Sequence, residues 1–257
     1  MYNVIIRFYE ELNDFLPEIV QKRDIPCLFP NRRSIKDLIE SFGVPHTEVD
    51  LILVNSHSVD FSYTVQNGDR ISVYPVFESL AIGSVTRLRP APLRRPAFLC
   101  DAHLGKLARR LRILGLDAAF DNNADHRALA GRSRAEHRIL LTRDTQLLMR
   151  KEVTHGIYVR DVPAADQVRA VLDRLDLRKE CRPFTRCTAC NGLLNTVTAS
   201  DTEAFRAVRD AVPERVRQWC AEYTVCAECG KIYWRGTHYA KLEAMVRAWL
   251  REEPGTP

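Results

Sequence analysis

Two sets of residues in this chain have types and spacings that reach beyond packing: paired cysteines and recurrent aspartates. Four of the eight cysteines form two C-x-x-C pairs, Cys187-Thr188-Ala189-Cys190 and Cys226-Ala227-Glu228-Cys229, the second followed by Gly230. A C-x-x-C turn aims both sulfurs at one ion, and two such turns complete a closed tetrahedral site of four thiolates, as in a structural zinc ribbon. Thioredoxin-like redox pairs are the alternative, and the presence of two pairs weighs against it. Cys181 and Cys220 each stand six residues before a pair. They fit either a six-thiolate cluster with two metals or two buried free cysteines, and the second is favoured because four thiolates already satisfy one zinc.

The aspartates follow short apolar runs. Asp101 ends Ala97-Phe98-Leu99-Cys100, Asp125 lies shortly beyond Asp117-Ala118-Ala119-Phe120, and Asp144 follows Ile139-Leu140-Leu141-Thr142; Asp161, after Ile157-Tyr158-Val159, is a looser candidate. Carboxylates gathered by a fold repel one another unless a cation sits among them, and hard oxygen donors select magnesium or manganese. Such an ion lowers the pKa of an attacking water and neutralises charge on a phosphodiester. The competing reading is that each aspartate caps the helix after its strand. Beside Asp101, Lys106, Arg109 and Arg110 fall at helical spacing away from a leucine stripe. That face suits a phosphate backbone or is simply solvated.

These residues need elements to position them. Strands at 97–100, 117–120, 139–142 and 157–159 alternate with helical patterns at 104–114, 125–137, 144–151 and 164–176, which predicts α/β architecture with a parallel sheet covered by helices. In such sheets ligands bind outside the carboxyl ends of the strands, where the aspartates lie. Earlier in the chain, Val4, Ile6 and Phe8 alternate as one strand face, and Ser34 with Asp37 opens a short helix with the stripe Ile35, Leu38, Ile39 and Phe42. Strands at 51–54 and 70–74 follow, the latter after the Asn67-Gly68-Asp69 turn. The stretch 65–76 resembles the ubiquitin-like β-grasp of small sulfur carriers. Their free Gly-Gly terminus is absent here, since the chain runs on through Leu80-Ala81-Ile82-Gly83-Ser84.

Phe98-Leu99-Cys100-Asp101, Leu104-Gly105-Lys106-Leu107-Ala108-Arg109-Arg110-Leu111-Arg112, Leu114-Gly115 and Leu140-Leu141-Thr142-Arg143-Asp144 together resemble the Mut-seven C-terminal RNase domain, a PIN-like nuclease group. The likeness continues through the C-x-x-C pairs and Lys231-Ile232-Tyr233-Trp234-Arg235-Gly236-Thr237-His238, covering about residues 97–245. It implies a PIN-like fold whose acidic cluster binds magnesium or manganese and cleaves RNA. By the same resemblance Asp101 and Asp144 match the motif aspartates, Asp125 matches one of an acidic pair, and Lys106 and Arg143 match the basic positions. His126 stands where the second acid of that pair would fall, and Arg110 where tryptophan is common. Several bacterial members carry a ubiquitin-like domain in front.

The expected organisation is a ubiquitin-like domain at 1–82, a basic Pro/Arg linker at 83–96, a PIN-like RNase domain at 97–180, and a zinc-ribbon region with a last helix at 181–257. The long interval between the cysteine pairs predicts a helical insert near 201–211. Residues 1–82 hold seven Lys and Arg against twelve Asp and Glu, whereas the rest hold thirty-one against twenty-one, so an acidic unit is joined to a basic remainder. A basic surface suits a polyanion such as RNA. After the second pair, Lys231, Tyr233, Trp234, Arg235, His238, Tyr239 and Lys241 interleave basic and aromatic residues, which fits either a holder of single-stranded RNA or Tyr233 and Trp234 packed under the ribbon beside a last helix with the core face Leu242, Met245, Val246 and Trp249. At 46% hydrophobic and 28% charged, the composition excludes fibrous and wholly disordered classes. No apolar run approaches the roughly 18 residues a membrane helix needs, which predicts a soluble, cytoplasmic protein with no membrane partner. Two other functions fit: a non-catalytic zinc-ribbon RNA-binding module, and an interaction protein whose ubiquitin-like domain recruits a protein partner or folds back on the nuclease face.

Overall fold

The structure is a computed structural model that describes residues 1–75, 96–200 and 202–251; the basic linker expected at 83–96 lies almost wholly outside the described residues. The chain divides into two compact units, Met1–His103 with Asn123–Asp161, and Leu104–Asn122 with Val162–Pro257.

The first unit opens with β1 (Tyr2–Phe8), β2 (Ile25–Phe29), α1 (Ile35–Glu40), β3 (Val49–Val54), β4 (His57–Val59) and β5 (Arg70–Pro75). They form one five-stranded sheet in the order β2-β1-β5-β3-β4. β1 runs parallel to β5 and antiparallel to β2, so the first and last strands of the segment lie side by side at its centre. The alternation of Val4, Ile6 and Phe8 buries one face of β1 against Ile35, Leu38 and Ile39 of α1. The α1 start is as expected: Ser34 Oγ accepts from Asp37 N at 3.1 Å. β2 and β4 were not legible in the sequence. Both are edge strands, and Leu28 in β2 is 65% exposed, so neither carries a full apolar face.

β6 (Ala97–Cys100) begins the next part of the first unit; α2 (Gly105–Ile113) and β7 (Asp117–Phe120) follow it in the chain and belong to the second unit. The first unit resumes with α3 (His126–Ala135), β8 (Ile139–Thr142), α4 (Thr145–Leu148) and β9 (Gly156–Tyr158). β8 lies between β6 and β9 and is parallel to both. All four of its residues are buried, as a strand covered on both faces requires, and α3 and α4 pack against it.

The ubiquitin-like part meets β9 within the same unit. Glu48, 1% exposed, accepts from Tyr158 N at 2.6 Å, and His46 Nε2 lies 3.0 Å from Val153 O while its Nδ1 faces Glu40 at 2.7 Å. Phe15 packs edge-on against Tyr158, with ring centroids 5.3 Å apart, and Arg160 pairs with Asp14.

In the second unit, α2 packs on β7 and on α5 (Ala164–Arg174), and α5 also meets α8 (Tyr239–Leu250). Gly115 ends α2 with φ +82, and a Cβ there would lie 2.0 Å from Arg182 O, so the position demands glycine twice over. β10 (Leu194–Thr198), α6 (Thr202–Ala211), α7 (Glu214–Arg217), β11 (Glu222–Cys226) and β12 (Ile232–Tyr233) complete the unit, with an antiparallel sheet in the order β10-β11-β12. α6 is the expected insert. Trp249, 1% exposed, lies in the core face of α8 with Val246.

Replacing Glu48 with alanine leaves the Tyr158 amide without its acceptor, a loss of about 1–3 kcal/mol. We expect a melting temperature several degrees lower in thermal denaturation of the full chain. An unchanged midpoint would mean that the contact carries no stability.

Candidate active site and cysteine cluster

β6 and β8 are parallel neighbours, so the residues just beyond them emerge together. Asp101 follows β6 and is 6% exposed. Its Oδ1 accepts from His103 N at 2.9 Å, and its Oδ2 accepts from the Thr142 hydroxyl and from Arg143 N at 3.4 Å. Thr142 ends β8 and is fully buried. Having donated its one proton to Asp101, its Oγ1 accepts from Asp144 N at 3.0 Å. One hydroxyl therefore ties the two aspartates.

Asp144 divides its carboxylate. Oδ1 accepts from Gln146 N and Leu147 N at 2.7 and 3.2 Å, capping α4, while Oδ2 lies 3.3 Å from His126 Nε2. For Asp144, cap and site residue are compatible roles. Asp125 caps α3, its Oδ1 accepting from Ala128 N at 2.7 Å; it is exposed and does not line the cleft that Asp101 and Asp144 share.

That cleft has a volume of about 500 Å³ and is walled by Asp101, His103, His126, Arg143, Asp144 and Tyr158, among others. Arg143 reaches Asp161 with Nη2 to Oδ2 at 2.7 Å. Asp161 is thus held at the side chain of a cleft residue. Lys106 and Arg109 are exposed on α2, whereas Arg110 stacks 5.9 Å from the Trp249 ring. Lys106 is not among the cleft residues.

Thr142, His103 and Tyr158 were not singled out from sequence. Thr142 reads as one more buried strand residue; its signal is a hydroxyl at a strand end directly before Arg143-Asp144. Tyr158 is placed by β9, which only the sheet pairing brings to the cleft.

The four paired cysteines converge. The sulfurs of Cys187, Cys190, Cys226 and Cys229 all lie within 4.8 Å of one another, with Cys187 to Cys229 at 3.7 Å and Cys190 to Cys226 at 3.3 Å. Tetrahedral bonds of about 2.3 Å to zinc place sulfurs about 3.8 Å apart, so the cluster fits such an ion. Burial pushes the Cys187 thiol up, but the Tyr233 hydroxyl, at 3.0 Å, and the amides of Cys190 and Ala189 outweigh it and hold it at about 6. Cys190 accepts from Gly192 N, which lowers its pKa, yet burial and the neighbouring sulfurs push it up to about 12. A second thiolate needs a cation.

Arg112, buried on α2, fastens the first knuckle. It donates to Ala118 O at 2.8 Å and to Thr188 O and Ala189 O at 3.1 and 2.8 Å. Asn191 adds bonds to Ala118 N and Asp117. Cys181 and Cys220 stay outside the cluster as buried thiols, bonded to Leu177 O and Glu222 O, and burial raises Cys181 to about 11.

Residues 96–246 match the Mut7-C RNAse domain, and residues 1–81 match the Mut7-C ubiquitin domain. The chain belongs to the Mut7-C RNAse domain family. It is similar to the human protein named exonuclease mut-7 homolog, 35% identical over 123 residues, covering 46% of this chain and 14% of that relative's length. No solved structure matches the chain. In this Mut7-C chain, no helix among the described residues is long and apolar enough to cross a membrane.

Thr142→Val removes the hydroxyl at nearly constant volume and strands a buried carboxylate oxygen and an amide. A destabilisation of about 1–3 kcal/mol is expected in urea denaturation, recovered by Thr142→Ser. If valine proved as stable as threonine, the hydroxyl bridge would not be what joins the aspartates.

Proposed function

We propose that this Mut7-C chain is a metal-dependent ribonuclease that hydrolyses phosphodiester bonds in the cleft beyond β6 and β8. The observation that carries the reading is the pairing of Asp101 and Asp144 through Thr142 in a polar cleft that also presents Arg143. The donor set suits magnesium or manganese: hard carboxylate oxygens, with Asp144 Oδ2 clear of the amides that occupy Oδ1 and Asp101 Oδ1 engaged by a single amide. A cation held there supplies an activated water and neutralises charge on the phosphate.

The chain's own residues do the rest. Asp101 is fixed by three donors, two on Oδ2 and one on Oδ1, so Oδ1 keeps acceptor capacity in a carboxylate that needs no reorganisation. Asp144 offers Oδ2, because α4 occupies Oδ1. Asp125 enters as a third carboxylate through the oxygen its cap leaves free. Arg143 exchanges Asp161 for a substrate phosphate, and Lys106 grips the RNA backbone along α2. No covalent protein nucleophile is needed.

In the same reading the four cysteines hold a structural zinc, and the domains are a ubiquitin-like domain at 1–82, a nuclease domain at 97–180 and a zinc-ribbon region at 181–257. The ubiquitin-like domain offers a surface for a protein partner, and the protein works in the cytoplasm. A second reading, a non-catalytic RNA-binding module, draws on one observation: His126, not a third carboxylate, faces Asp144.

Cleavage of end-labelled single-stranded RNA by the purified full chain with magnesium or manganese separates the two. We expect metal-dependent cleavage that falls by more than about 100-fold in Asp144→Asn and is abolished by EDTA. RNA bound but uncut under every metal would leave the binding module.

A further inference from the structure

The second unit holds a groove of about 610 Å³ that the proposed chemistry leaves unused. α7 and the turn after it supply Arg215 and Trp219, β12 and the chain beyond it supply Tyr233, Trp234 and His238, and Leu242 closes the end. Trp219 is 55% exposed and Trp234 37%, whereas the third tryptophan of the chain, Trp249, is buried. Single exposed apolar residues are ordinary, but two indoles sharing one concave surface are not.

The tyrosines of the groove are already engaged. Tyr233 donates toward Cys187 and lies under Lys231, 5.7 Å from its ring, and Tyr239 packs on Phe184 with Arg235 over its ring at 5.2 Å. Neither indole has a stacking or cation partner among the described residues. Gly236 leaves room for the Trp234 edge, since a Cβ there would come within 3.2 Å of its Nε1.

Arg215 is the charged side chain that lines the groove, His238 lies with it, and no carboxylate does. Lys231, Arg235 and Lys241 are exposed nearby in the chain; Glu222 offsets Arg235 at 3.7 Å. Free aromatic faces beside cations recognise unpaired bases on a polyanionic backbone, because every base offers a π face and its phosphates meet the cations. A duplex hides those faces. An apolar peptide would fill the groove but leave the cations uncompensated.

We propose that this groove is a stacking site for the bases of single-stranded RNA, with Trp219 and Trp234 as platforms and Arg215 and His238 as phosphate contacts. It rests on the reading of RNA as the substrate, and adds a holding site built on the strand that leaves the second cysteine pair. Tyr233 belongs to both the groove and the cysteine cluster, so the knuckle fixes the groove floor.

The test is titration of zinc-loaded full-length Asp144→Asn, which binds without cutting, with a short oligouridylate while tryptophan fluorescence is followed. Quenching is expected, with affinity that falls as salt rises and is weaker for duplex RNA of the same length. Trp219→Ala/Trp234→Ala should bind about tenfold or more weakly. Arg215→Glu, a surface change that spares folding, should also weaken binding. Unchanged affinity in both variants, or binding without quenching, would overturn the proposal. Quenching that depends on protein concentration without RNA, or an apolar peptide bound more tightly than RNA, would do so too. Wild-type cleavage that persists alongside such a result keeps the nuclease reading, and stacking without cleavage removes that reading alone.

Discussion

Two carboxylates at the ends of neighbouring parallel strands repel each other, and the fold places them there through the β6 and β8 pairing. The Thr142 hydroxyl links them: it donates to the Asp101 carboxylate and accepts from the Asp144 backbone amide, so the buried oxygen and the strand-end backbone are both satisfied. Around that bridge, α4 starts where Asp144 caps it, Arg143 reaches Asp161, and β9 brings Tyr158 to the cleft lining. A site held by strand ends and short buried bonds is pre-organised, which is what electrostatic stabilisation of a phosphoryl transition state requires.

The cysteine cluster obeys a similar constraint with sulfur in place of oxygen. Four thiols within a few ångströms share protons unevenly, one held near 6 and another pushed to about 12, a conflict that a divalent cation bound there would resolve. The knuckles are not free-standing. Arg112 and Asn191 tie the first to α2 and β7 of its own unit. Arg112 lies outside the Lys106, Arg109 and Arg110 face that the sequence offers as phosphate-facing or merely solvated, and it is buried as a structural cross-link.

Much of this was legible beforehand. The strands at 97–100, 117–120 and 139–142 stand where their apolar runs put them, because fully buried strands need unbroken apolar residues. The C-x-x-C pairs announce their own convergence. Edge strands β2 and β4 escaped notice because they bury only part of one face. The cleft was legible in part: Asp101 and Asp144 come together as strand-end reasoning anticipates, while Asp125 caps α3 through one oxygen outside the cleft lining and His126 lies beside Asp144. Thr142 and Tyr158 depend on which strands pair, and pairing is not written in the local sequence.

The central proposal is that Asp101 and Asp144 jointly hold a divalent cation, at a site distinct from the four-cysteine cluster that could bind zinc. Electron paramagnetic resonance of manganese added to the zinc-loaded full chain tests it without reference to activity. The account predicts loss of the free-manganese signal on binding, reversal by magnesium, and a marked loss of binding in both Asp101→Asn and Asp144→Asn while zinc content stays unchanged. Manganese bound equally well by wild type and both variants would contradict it.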